Sequence, residues 1–157
     1  MSLKASPQRI QNLLHEAGYA HTVIELPDSM RTAQEAADAI GCDVAQIAKS
    51  IIFRMSASDA PLLVVASGVN RVNEKAISRQ VHDKLLKADA DFVRERTGFP
   101  IGGVAPIGHS EPVTTIIDKD LLQYPTLWAA AGHPRAVFEL TPDDLTAMTQ
   151  GQVMSIK

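Results

Sequence analysis

The sequence predicts a mixed α/β (α+β) fold, a single domain over residues 1–157 in which helices flank a curved mixed sheet. Three observations predict it. Two branched, apolar segments, "KSIIFRM" and "PLLVVAS", follow each other across the short polar stretch "SASDA", which is the pattern of neighbouring strands joined by a hairpin-like loop. The helical segments lie outside the strand clusters and do not alternate strictly with them, so a doubly wound parallel sheet is disfavoured. Finally, 157 residues suffice for one sizeable core and are few for two, and a hydrophobic share of 45% with 21% charged residues is that of an ordinary globular chain.

Each element has its own local reason. Ser6-Pro7 followed by Ile10, Leu13, Leu14 and Ala17, then Gly18, reads as an amphipathic helix with proline in its first turn and glycine at its stop. "HTVIEL" is a strand, and "PDSM" after it a turn. "TAQEAADAIG" carries Thr32 and Glu35 at capping-box spacing and ends on Gly41, which makes a second helix; Asp43 and Gln46 repeat the cap for a short helical turn. After the hairpin, "NEKAISRQV" and "DADFVRERTG" are helices capped by Asn73 and Asp89. "PVTTIID", "TLWAAA" and "RAVFEL" read as strands, "TPDDLTAM" as a helix opened by Thr141-Pro142, and "QVMSI" as a last strand.

Composition excludes several function classes. The longest apolar run, near Leu62 to Ala66, is far short of the roughly 20 residues that span a bilayer, and "MSLKASPQRI" has no apolar core for a secretory signal, so no membrane partner and a cytoplasmic location are expected. A net charge of -3 argues against broad grip on a polyphosphate and leaves room for a small site that holds one nucleotide or one RNA end. No sequence-specific DNA binding is expected, and the few scattered aromatics make no base-stacking platform. Cys42 is the one cysteine, so it forms no internal disulfide and reads as a buried small residue. His15, His21, His82 and His109 show no metal-ligand spacing, so neither a metal nor another cofactor is expected. There is no GxSxG elbow, GxGxxG or GxxxxGK[ST], and Asp143-Asp144 falls in a helix first turn, where carboxylates stabilise the dipole.

Three places remain where chemistry can sit. Strand alternation in "IAKSIIF" places Lys49 with Ile51 and Phe53 on the more apolar face, opposite Ser50, Ile52 and Arg54. A lysine there either snorkels to water or holds an anion. "TGFPIGGVAPIGH", Thr97 to His109, holds four of the nine glycines and two of the nine prolines; it is either a long connection or a backbone cradle that aims N–H and C=O groups at a ligand. Gly132-His133-Pro134 joins two apolar strands, either as a plain turn with His133 at its tip or as a second wall of the same pocket.

The order of four blocks, "TAQEAADAIGCDVAQIAKSIIF", "NRVNEKAI", "TGFPIGGVAPIGH" and "AAGHPRAVFEL", resembles the YbaK/ProX family, free-standing relatives of the editing domain inserted in bacterial prolyl-tRNA synthetases. The likeness covers roughly residues 30 to 140. It implies a mixed α/β editing domain that hydrolyses the ester between a wrong amino acid and tRNA, with the aminoacyl-tRNA acceptor end as ligand and a prolyl-tRNA synthetase as possible associate. In the family, the lysine matching Lys49 is the signature residue of the pocket and holds the terminal adenosine or phosphate region. Gly102 and Gly103 match the glycine-rich loop facing the aminoacyl group, and Gly132, His133 and Pro134 the second pocket loop. His109 closes the first loop. The first loop reads "GFPIGG" where some relatives have a plain GxxPG, which makes Phe99, Pro100 and Ile101 the expected seat of size selection. The same resemblance implies help to the attacking water from a ribose hydroxyl of the tRNA. Two rival classes are a non-catalytic nucleotide- or tRNA-end-binding module and a protein-interaction subunit attached to a synthetase.

Overall fold

The computed structural model describes residues 5–27 and 32–157. Eight strands form one mixed sheet: β1 (Val23–Glu25), β2 (Ile47–Met55), β3 (Pro61–Ser67), β4 (Leu85–Lys87), β5 (Thr114–Asp118), β6 (Leu127–Ala130), β7 (Ala136–Leu140) and β8 (Gln152–Met154). Their order is β1-β7-β6-β2-β3-β5-β8, with β4 also on β2. The expected hairpin is the antiparallel pair β2–β3, in register from Ala48↔Ser67 to Arg54↔Pro61. The pairs β2–β6, β3–β5 and β5–β8 are parallel. Every residue of β3 is buried, because apolar layers cover both faces of the sheet.

The helices are α1 (Ala5–Glu16), α2 (Ala33–Ile40), α3 (Glu74–Val81), α4 (Ala90–Thr97) and α5 (Pro142–Thr149). Their starts follow from local side-chain chemistry: Thr32, Asn73, Asp89 and Thr141 each accept a hydrogen bond from the backbone N–H three residues on. Asp43 and Gln46 open a single 3-10 turn, Val44–Gln46, in which the Asp43 N–H donates to the Gln46 side chain at 3.1 Å. One layer packs Ile10 and Leu14 of α1, Phe92 and Val93 of α4 and Leu145 of α5 on Leu63, Val65 and Phe138. On the other side, Ile77 of α3 and Ile156 cover Phe53, Leu62, Val64 and Ile116. α2 sits apart on Ile47 through Ala36 and Ala37.

Four details depart from the sequence expectations. The strand in "HTVIEL" is only Val23–Glu25, and of "PDSM" all but Pro27 lies outside the described residues. β4 and a 3-10 helix at Lys119–Gln123 were not expected. β4 has three residues, too few to show alternation, and exists because it pairs with the far end of β2. Cys42 is half-buried, packed beside α2 at the sheet margin, and its partial burial pushes the thiol pKa up.

Candidate active site at the splayed edge of strand β2

The site originates in an interruption of hydrogen-bonded pairing. The parallel ladder between β2 and β6 covers only Ile47↔Trp128 and Ala48↔Ala129, and the same edge of β2 meets β4 only from Phe53 onward. Lys49, Ser50, Ile51 and Ile52 therefore have no strand neighbour on that edge. Strand alternation would send Lys49 and Ser50 to opposite faces, but where β6 diverges both line one cavity of about 170 Å³. Ala48, Ala129, Val104 and Val137 give it an apolar wall; Thr32, Ala33 and Ala36 of the second helix and its cap close another side, and Gly102 and Trp128 stand at its border. The volume is on the scale of an engineered cavity of ~150 Å³ that holds one benzene ring, which fits an amino-acid side chain with its ester and excludes a whole nucleotide.

Lys49 is half-buried at the junction of this cavity with two open depressions, one walled by Gly68 and Val69, the other by Asn70 and Arg71. Burial depresses its pKa, and the neighbouring Arg71 guanidinium depresses it further; Asp118 opposes both. Asp118 is buried and already engaged, accepting from the Ser67 N–H at 3.0 Å and from Asn70 Nδ2 at 2.8 Å. That pair of bonds fixes the Ser67–Asn70 turn, and through it the path of Arg71. Lys49 and Arg71 thus line the same open groove, with the Glu74 carboxylate at its border and no ion pair to either cation among the described residues. Such a groove attracts a phosphate.

The two loops singled out in the sequence meet in space. A Cβ on Gly103 would lie 2.8 to 2.9 Å from backbone atoms of His133, so only a glycine allows this approach. A Cβ on Gly102 would come no nearer than 4.0 Å to Pro134 Cγ, but its φ of +85° favours glycine for a different reason. Gly103 N–H donates to Pro100 O at 3.0 Å and so is spent inside the loop, which leaves Gly102 as the glycine at the cavity border. In the second loop His133 Nδ1 accepts from the Arg135 N–H at 3.1 Å, so a neutral ring carries its proton on Nε2.

Other expected residues take supporting positions. Phe99, Pro100, Ile101, Gly103, His109, Gly132, His133 and Pro134 do not line the cavity, which takes only Lys49 and Gly102 from the expected set. Phe99 is fully buried in the main core under the Arg9 guanidinium, 5.1 Å from its ring centre, and stands against the position of Gly132, which also packs on Ser6 of α1. It carries both loops from beneath because a large apolar ring gains most from full burial. Pro100 is half-buried and Ile101 is 55% exposed. His109 borders a separate depression with Pro106 and Met148; its Nε2 donates to Ala105 O at 2.7 Å, and its ring meets Phe99 edge-on. Burial holds its pKa below the ordinary histidine value, against the opposing effect of the Ala105 bond. The "GFPIGG" stretch is thus anchored from inside, and the side chain next to the cavity is Val104.

The sequence assigned no site role to Ser50, Trp128, Thr32 or Arg71. For Arg71 a signal existed: a cation two residues before the Asn73 cap lies at the positive end of α3, where the helix dipole disfavours it unless an anion is near. Ser50 had none, since alternation set it with Ile52 and Arg54 on the less apolar face. Trp128 and Thr32 had none, since strand pairing brings the first there and the packing of α2 on Ile47 the second.

Comparison with known proteins follows this geometry. The chain is 32% identical over 131 residues to the uncharacterised protein YwhH of Bacillus subtilis, covering 83% of each. It is 31% identical over 94 residues to the proline–tRNA ligase of Limosilactobacillus fermentum, over 57% of this chain and 16% of that one. A solved structure described as "Crystal structure of a putative trans-editing enzyme for prolyl tRNA synthetase" superposes with a TM-score of 0.93 at 45% identity, over 99% of both chains. The family model for the aminoacyl-tRNA editing domain matches residues 27–148, and the chain belongs to that family.

Proposed function

We propose that this protein is a trans-acting aminoacyl-tRNA deacylase, working as one unit over residues 1–157, that hydrolyses the ester of tRNA(Pro) carrying a small non-cognate amino acid. The observation that carries the reading is the junction at Lys49: a partly enclosed cavity of amino-acid size meets there a groove lined by two cations. An aminoacyl ester joins a small group to a phosphodiester chain, and the two compartments suit its two halves. Lys49 and Arg71 take the phosphate side, and the apolar cavity takes the amino acid. The full-length likeness to a structure described as a trans-editing enzyme for prolyl tRNA synthetase supports the choice of tRNA.

The chemistry asks little of the protein. Water adds to the ester carbonyl, the carbonyl oxygen becomes an oxyanion, and the bond to the ribose oxygen breaks while that oxygen takes up the proton; free amino acid and intact tRNA leave. Among the described residues lining the cavity there is no carboxylate and no imidazole. The proton acceptor for the water is then, as the family likeness implies, a ribose hydroxyl of the substrate. Lys49, beside the cavity mouth, stabilises the oxyanion and orients the adenosine end, together with the Gly102 backbone. Size selection falls to Val104, Ala48, Ala129 and Val137, with Phe99, Pro100 and Ile101 holding the loop that presents Val104. Such a second site removes esters that a synthetase pocket, separating small side chains by only ~1–3 kcal/mol, lets through.

The test is a panel: purified protein with tRNA(Pro) charged with each small amino acid, and Pro-tRNA(Pro) as cognate control. At least one non-cognate ester is hydrolysed well above the uncatalysed rate while the cognate survives, and Lys49→Ala removes that activity by at least about a hundredfold with an unchanged melting temperature. Absence of hydrolysis throughout the panel refutes the enzyme reading. Ligand binding that only weakens in Lys49→Ala, without turnover, would instead identify a tRNA-end-binding module.

A further inference from the structure

Among the described residues, the Ser50 hydroxyl is the one buried side-chain oxygen or nitrogen without a hydrogen-bond partner. Buried polar groups in folded proteins are nearly always paired, and an exception in a binding cavity marks a partner that arrives from outside the chain. Ser50 lines the cavity on the open stretch of β2 and shares its strand face with Ala48 and Ile52, both part of the apolar core. The residue is half-buried, its hydroxyl is shielded, and it borders the cavity with Val104 and Ala129 but not the phosphate groove.

The other polar side chains around the cavity are committed. Thr32 Oγ1 accepts from the Glu35 N–H at 3.1 Å as the cap of α2 and lies 3.4 Å from Glu35 Oε1, to which it donates. Lys49 faces Arg71 and the groove. Trp128 packs with α2 at the cavity border and has only a donor to offer. The substrate's α-ammonium, common to all aminoacyl esters, has the backbone of the open β2 edge nearby, so it does not need the serine. We propose that Ser50 reads a hydroxyl on the side chain of the amino acid to be removed, so that the cavity prefers small hydroxylated aminoacyl esters to alkyl esters of similar size. This inference rests on the deacylase reading above.

Discrimination of this kind is asymmetric. An apolar pocket gains little by rejecting a hydroxyl, whereas a pocket with a waiting hydroxyl loses a bond and strands a buried group when an alkyl side chain enters. A single neutral hydrogen bond of this type gives about ten- to a hundredfold preference.

Seryl-tRNA(Pro) and alanyl-tRNA(Pro) differ by one oxygen and supply the test. The wild-type protein hydrolyses the seryl ester at least about tenfold faster than the alanyl ester. Ser50→Ala brings that ratio close to one by a larger loss of the seryl than of the alanyl rate, and Ser50→Thr, which restores a hydroxyl, keeps the seryl preference. A wild-type ratio at or below one, or a ratio unchanged in Ser50→Ala, overturns the proposal. A parallel fall of both rates also overturns it, since Ser50 would then serve an atom the two esters share. Each of those results leaves the deacylase reading standing, whereas failure of the wild type on every ester of the panel removes that reading and this inference together.

Discussion

Gly103→Ala is the sharpest probe of how the site is built, because the structure supplies both the cause and the scale of its effect. The added Cβ would lie 2.8 Å from His133 C and Cα and 2.9 Å from His133 N. Ordinary carbon contacts are about 3.5–4.0 Å, so the two loops must separate by roughly 0.7 Å or more. The atoms met are backbone, held by the His133 O bond to the Ala136 N–H at 3.0 Å and by the Ala131 N–H bond to Ala136 O at 2.9 Å, so no rotamer change relieves the clash. Overpacking of this kind costs about 1–3 kcal/mol, which for a chain of this size lowers the melting temperature by about 2–12 °C. A displacement approaching 1 Å in positioning elements costs up to ~10²-fold in rate, so a ten- to hundredfold loss of deacylation is expected. Gly102→Ala is the control. Its φ of +85° imposes a strain of about 1–2 kcal/mol, but the new methyl meets nothing nearer than 4.0 Å, so the loops stay together and most of the rate survives. Thermal denaturation and single-turnover hydrolysis of the best ester in the panel measure both effects. If Gly103→Ala keeps the wild-type rate and melting temperature, or Gly102→Ala is the more damaged in rate, the loop contact does not organise the site.

Two further outcomes follow from the electrostatics. Arg71→Gln removes one of the two groove cations without touching the cavity, so tRNA affinity falls and the slope of log K against log salt flattens by about one phosphate's worth, ~0.7–0.9; binding titrations over a salt series check this, and an unchanged slope refutes a phosphate contact. For His109, whose folded pKa is depressed by burial, the unfolded chain takes up the proton first. Its stabilisation is complete above the unfolded value of about 6.5 and is lost as pH falls from there toward the folded pKa. Changing His109 to Gln keeps a donor for Ala105 O and removes the titration, so its melting temperature drops less than the wild type's between about pH 7.5 and about 5.5. Equal drops would exclude His109 as the source.

The local parts of this molecule were legible in its sequence. Thr32, Asn73, Asp89 and Thr141 announced four helix starts because a cap and the N–H it accepts are three residues apart, a distance that sequence order alone controls. The β2–β3 hairpin was legible for the same reason, as were the two glycine loops, whose composition has a direct backbone meaning. Strand alternation singled out Lys49, and family likeness gave it a role in the pocket.

What only the tertiary structure decided is which of these residues share a cavity. Phe99 and His109 belong to the legible loop, yet they point into its support, because packing on α1 and the core outweighs exposure for a large ring. Ser50 and Lys49 have opposite strand parity and still border one pocket. The cause is a parallel ladder that stops after Ala48↔Ala129, between strands some eighty positions apart in the chain. No local pattern encodes that stop. It follows from strand order and from the divergence of β6 toward the Gly132 turn, and it leaves a serine hydroxyl shielded without a partner on the cavity wall.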